Sequence, residues 1–120
     1  MALPQVKIPA GAKQVSISFV VGQLDGSSCA FYLWDAAGKS TTDIGKSRNS
    51  RDTFVIAGAP DTLRGRIVEW DFSLFSYTGG TNERYAVTVI LIADGEVIGT
   101  VPETGIFTKQ IDITDGVQLA

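Results

Sequence analysis

Two carboxylates, Glu69 and Asp71, stand two apart in a run that alternates apolar and polar from 68 to 74. On a strand, that spacing sets both side chains on one face. Paired carboxylates are the machinery of glycoside hydrolysis, one as acid and the other as base or nucleophile. A catalytic pair of that kind faces across a cleft from separate strands, whereas the wet face of an amphipathic strand accounts for these two as they stand. Gly38-Lys39-Ser40 and Gly45-Lys46-Ser47 each carry the last triplet of a phosphate-binding loop. That loop needs a further glycine five residues before the triplet's own, and a helix behind it to aim backbone amides at phosphate. Leu33 and Ser40 hold those positions, so neither triplet is a nucleotide site.

Lys39, Lys46, Arg48 and Arg51 share one polar segment and can attract an anion or an acidic partner, with Asp43 and Asp52 offsetting part of their charge. Asp25, Asp35, Asp94, Glu96, Glu103, Asp112 and Asp115 are scattered and form no Asp-x-Asp-x-Asp run, so no calcium loop is expected. Asp112 and Asp115 read as turn chemistry. The chain has no histidine and one cysteine, Cys29. Its serines therefore lack the usual activating base, the commonest zinc ligand is missing, and no internal disulfide can form. Cys29 has Ala30, Phe31 and Leu33 beside it and reads as a buried, structural thiol. The expectation is a protein without a catalytic site, cofactor or metal.

Aromatic side chains remain. Tyr32, Trp34, Phe75 and Tyr77 fall opposite the main apolar rows of their strands. Aromatic planes on a sheet surface stack on sugar rings or form protein contacts. Phe75 reads as core. The candidate binding residues are Trp34 and Tyr77, with Lys46, Arg48 and Arg51.

At 120 residues, with 44% hydrophobic and 19% charged residues, the chain fits a single globular domain spanning 1–120. A net charge of −3 gives no reason to expect nucleic acid or an anionic membrane as partner. The N-terminal residues lack the apolar core of a signal peptide, and no apolar run reaches the ~20 residues that span a bilayer. A cytoplasmic or particle-associated location is the expectation.

The elements that must position these residues are strands. An edge strand is expected at 5–8, then strands at 14–21 and 29–35, with a turn at 22–28 between them. The polar segment 35–52 reads as a long loop and 53–57 as a short strand. The run 63–77 reads as one long strand with a bulge at Gly65. It is expected to close through 78–82 into a hairpin with 84–93. The nearly continuous apolar run 85–93 suggests cover on both faces. Asp94-Gly95 makes a two-residue hairpin turn that sets Ala93 opposite Glu96, Ile92 opposite Val97 and Leu91 opposite Ile98. Residues 102–105 should break the sheet, 106–114 form another strand, and Asp115-Gly116 turn it into 117–120. No run has a helical period. Seven or eight strands between Gly and Asp turns predict an antiparallel β-sandwich, immunoglobulin-like or jelly-roll in outline, with a small β-barrel as alternative.

Three functional classes fit. The first is a structural or interaction module, self-associating as a homo-oligomer or serving as a subunit of a larger assembly, viral or tail-like. The second is a carbohydrate-binding module using surface aromatics and loop polar groups. The third is a small hydrolase, which the absence of histidine and metal motifs places last.

Overall fold

A computed structural model describes residues 3–22, 26–76 and 83–120. Nine strands form two sheets: β1 (Gln5–Val6), β2 (Val15–Gly22), β3 (Gly26–Trp34), β4 (Thr41–Ser47), β5 (Arg51–Ile56), β6 (Ile67–Phe75), β7 (Glu83–Ala93), β8 (Glu96–Phe107) and β9 (Gln110–Leu119). One sheet runs β1-β9-β6-β3-β4 and the other β5-β2-β7-β8. The architecture is an all-β sandwich. A four-residue helix, α1 (Pro60–Leu63), begins on Pro60, whose fixed φ suits a first helical turn, and drives fully buried Leu63 into the core.

Strict alternation builds the interior. Val15, Ile17, Phe19 and Val21 of β2 face Phe31, Leu33, Val68, Trp70, Phe72 and Leu74 of β3 and β6, all buried. Phe19, Phe31 and Phe72 form an aromatic centre with ring centroids 5.5–5.8 Å apart, and Trp70 lies 6.2 Å from Phe31. Each such ring contributes about 1.5–3 kcal/mol by leaving water. The N-terminal strand closes the five-stranded sheet by running parallel to β9. Arg64 fastens that corner, its Nη1 donating to the carbonyl of Ile8 at 2.6 Å and to Ala120 O at 3.0 Å.

Several expectations give way. The segment 35–52 is not one loop: β4 occupies its middle and β5 starts inside it. β4 is an edge strand that mostly faces water, so it carries no apolar alternation to read. The 63–77 strand begins only at Ile67, because α1 takes its start and Gly65 sits at φ 84 between them. β6 does not pair with β7. It lies between β3 and β9, and the chain changes sheets before β7; the connection expected at 78–82 falls outside the described residues. β7 buries only its Val87, Val89, Leu91 and Ala93 row, leaving Ile90 and Ile92 part-exposed on the other face.

Asp94 and Gly95 both have positive φ, at 50 and 83, as the expected turn requires. Ala93 pairs with Glu96 and Ile92 with Val97, but an irregularity then sets Leu91 opposite Gly99 rather than Ile98. Pro102 does not end the sheet. It stands opposite Thr88 within β8, an edge strand, where a missing N–H is tolerated. Asp115-Gly116 is no turn either. Gly116 pairs with Glu69 inside β9, and a Cβ there would come within 2.6 Å of the Val68 carbonyl oxygen, so glycine serves close strand approach.

Candidate functional site

Strand registers assign every outward side chain to one of two faces. On the five-stranded sheet the outer face carries Asp43 and Lys46 from β4, Ala30, Tyr32 and Trp34 from β3, Glu69, Asp71 and Ser73 from β6, and Asp112 and Thr114 from β9. Hydroxyl groups fix two of the carboxylates: Thr114 Oγ1 donates to Asp71 Oδ1 at 2.8 Å and Ser73 Oγ to Asp112 Oδ1 at 2.7 Å. Glu69 and Asp71 thus share a face, as expected, but belong to a field of carboxylates rather than to a cleft.

The four-stranded sheet differs. Its outer face is built from Arg51, Thr53 and Val55 of β5, Ser16, Ser18 and Val20 of β2, Arg84, Ala86, Thr88, Ile90 and Ile92 of β7, and Val97, Thr100, Pro102, Thr104 and Ile106 of β8. No carboxylate is among them. The large hydrophobic side chains that stand exposed among the described residues are Val20 (36%), Val55 (54%), Val97 (62%) and Ile106 (59%), and all four lie here. Thr53 Oγ1 donates to Ser18 Oγ at 3.0 Å, and Ser18 Oγ donates to the Asp52 carbonyl at 3.0 Å. These bonds turn the hydroxyls onto the sheet itself. The result is a surface rich in methyl groups with arginine as its only charge, hollowed at one end where Arg84, Ala86, Thr104 and Ile106 line a depression of about 660 Å³.

The candidate binding residues do not form one cluster. Lys46 and Arg48 line a shallow depression of about 530 Å³ with Tyr32, Asp71 and Ser73 on the acidic face. Arg51 lies opposite Val20 on the other sheet and lines a separate hollow. The β4–β5 connection crosses between sheets and divides the cationic segment. Trp34 is half-buried at the end of β3, its carbonyl accepting from Arg66 Nε at 2.8 Å, beside a hollow of about 360 Å³ with Gly65 and Ile67. Tyr77 lies outside the described residues. Phe75, read as core, is half-buried on the outer face of β6. Cys29 is buried as expected, and burial above all pushes its thiol up to about 12, out of the nucleophilic range.

A carboxyl pair escaped the sequence reading. Glu103 points inward from β8 and Asp115 inward from β9, each from a different sheet. Burial first, and then its hydrogen bond to the Asp115 carboxyl, push Glu103 up to about 7. Trp70 lies beside it and works the other way, yet its buried Nε1–H and Glu103 Oε1 both lack a hydrogen-bond partner. Two carboxyl groups joined by a hydrogen bond must share a proton. The signal was present in Val101-Pro-Glu103-Thr-Gly105-Ile-Phe107, where every second residue points inward once Pro102 is allowed in the strand. Neither carboxyl lines any hollow described above. Among the described residues, no three His, Cys, Asp or Glu side chains come together to hold a metal, and no helix is long and apolar enough to cross a membrane.

No family model matches the chain, and no curated protein matches it. Among solved structures, it is similar to a domain of unknown function, DUF4425, from Bacteroides vulgatus ATCC 8482, with a TM-score of 0.56 and 13% identity over 91% of this chain and 96% of that one. A DUF4425 family protein from Bacteroides ovatus ATCC 8483 gives a TM-score of 0.51 and 10% identity over 88% of this chain and 95% of that one. At such identities the likeness concerns the fold alone.

Proposed function

We propose that this chain is a non-enzymatic interaction module that associates with further copies of itself through the outer face of its four-stranded sheet. The observation that carries the reading is the placement of Val20, Val55, Val97 and Ile106 together on that one acid-free face. Val97 adjoins part-exposed Ile92, and exposed apolar side chains spread over one face that carries no carboxylate favour a contact site there. A sheet face needs no reactive group to work this way. Strand spacing of about 4.8 Å and strands of roughly 20–40 Å give the face on the order of 600 Å². A contact of that size buries about 1,200 Å² over both partners, enough for a specific interface.

Light scattering across a concentration series tests this. The wild-type chain is expected to form oligomers, and Val55→Glu/Val97→Glu to remain at the 12.8 kDa monomer mass. Both sites are exposed, so the fold should lose no more than about 0.5 kcal/mol. A wild-type chain that stays monomeric to its solubility limit would defeat the reading. Glycan binding that disappears in Trp34→Ala would favour the carbohydrate alternative instead.

A further inference from the structure

We infer that the partner of the acid-free face is the acidic outer face of the five-stranded sheet on a second copy, so that copies stack head to tail. This rests on the self-association reading above and names its two surfaces. The charges decide between the pairings. On the four-stranded sheet's outer face the charged residues are Arg51 and Arg84. On the opposite outer face stand Asp43, Glu69, Asp71 and Asp112, against Lys46 with Arg48 at its margin.

A symmetric contact between two acid-free faces would take four arginines out of water with no carboxylate to receive them. Removing unpaired charges from water costs several kcal/mol each. A symmetric contact between two acidic faces would set carboxylates against carboxylates. Only the mixed pairing brings opposite charges together over the apolar surface, and complementary charge also steers encounter and register. Aromatic side chains meet the same requirement. Tyr32 and Trp34 are part-exposed on the acidic face and offer the methyl-rich face flat apolar area, with polar tips left at the rim.

The two faces lie on opposite sides of one two-layer sandwich. A mixed contact therefore leaves one free acidic face and one free acid-free face at the ends of every assembly. Such a heterologous interface grows into a ring where the rotation closes, and into an open filament where it does not.

Charge reversal on each face tests the pairing. Arg51→Glu/Arg84→Glu makes both faces of a copy acidic, and Asp43→Lys/Asp112→Lys makes both basic in their dominant charge. All four side chains are exposed, and circular dichroism confirms folding. Each variant alone is expected to stay at the 12.8 kDa monomer mass at concentrations where the wild type assembles, while a 1:1 mixture of the two regains assembly. Wild-type assembly should weaken as salt is raised. Assembly that survives Asp43→Lys/Asp112→Lys unchanged, or a mixture that stays monomeric, would overturn the head-to-tail pairing and leave self-association standing. A wild type that never assembles would remove both.

Discussion

The sandwich is closed along its two sides in opposite ways. On one side β4 crosses into β5, and Asp52, reaching into the seam, is surrounded by donors. Ser47 Oγ donates to Asp52 Oδ2 at 3.0 Å, Asn49 Nδ2 at 3.3 Å, and the Thr53 backbone N–H to Oδ1 at 3.0 Å. These bonds, the Thr53 amide foremost, hold its carboxyl below the ordinary range. Gly45 leaves room for the Phe54 ring, which fills the space where a Cβ would sit. On the other side β8 crosses into β9, and Glu103 meets another acid instead of donors, with its own Oε1 and Trp70 Nε1 unpartnered. One carboxylate is stabilised by being ionised and the other by being protonated. The two sides therefore answer pH with opposite signs.

That contrast can be broken outright at Gly116. Its replacement by Ala drives a Cβ against the Val68 carbonyl oxygen, backbone that cannot swing aside. Denaturant unfolding should show a loss of about 3 kcal/mol. The displaced β9 would also draw Asp115 from Glu103 and return the Glu103 pKa towards its ordinary value, which carboxyl NMR shifts would report. Unchanged stability would mean that β9 adapts freely.

Glu103→Gln sharpens the comparison. Glu103 has a folded pKa near 7 against 4.5 for the free carboxyl, so wild-type stability is full below about 4.5, falls as pH rises between those values, and stays reduced above. The Gln variant keeps a neutral partner for Asp115 at every pH. It should match the wild type at pH 4.5 and exceed it at pH 8 by on the order of 1 kcal/mol, once solvent screening is discounted. A wild type that loses no stability across that window would contradict the shared proton.

Asp52→Asn gives the smallest effect and the opposite slope. A carboxyl held below its ordinary pKa adds stability above that pKa and loses it as pH falls through the folded value. The variant should have a slightly lower Tm at pH 7, and the gap should shrink as pH falls below the ordinary carboxylate range. A difference that persists undiminished into acid would mean that Asp52 acts through shape rather than charge.

The inward rows of β2, β3 and β6 were legible because each buries every second residue, and the period of a strand survives any choice of partner, whereas Ile90 and Ile92 on the outer face of β7 hid its row. Partners were not legible. Strands β6 and β7 are neighbours in sequence and members of different sheets, and alternation reports which face is dry, not what lies beside it. Glycine and proline misled for a related reason. At Asp94-Gly95 the glycine makes a turn; at Gly116 it lets two backbones touch; Pro102 is accepted only because β8 lies at an edge. The candidate site was legible in its residues and hidden in its arrangement. Lys46 and Arg51 are five apart in the chain but on opposite outer surfaces, and Val20, Val55, Val97 and Ile106 come to share one face only after four strands are laid side by side.

Cys29 lies opposite Ser47, next to the β4 edge, and is buried. It keeps 8% of its surface open at the depression on the acidic face, so a reagent that alkylates thiols gains full access only when the packing around it loosens. The chain thus carries its own clock: the rate of labelling under native conditions reports how often the packing around β3 opens, without any probe having been added.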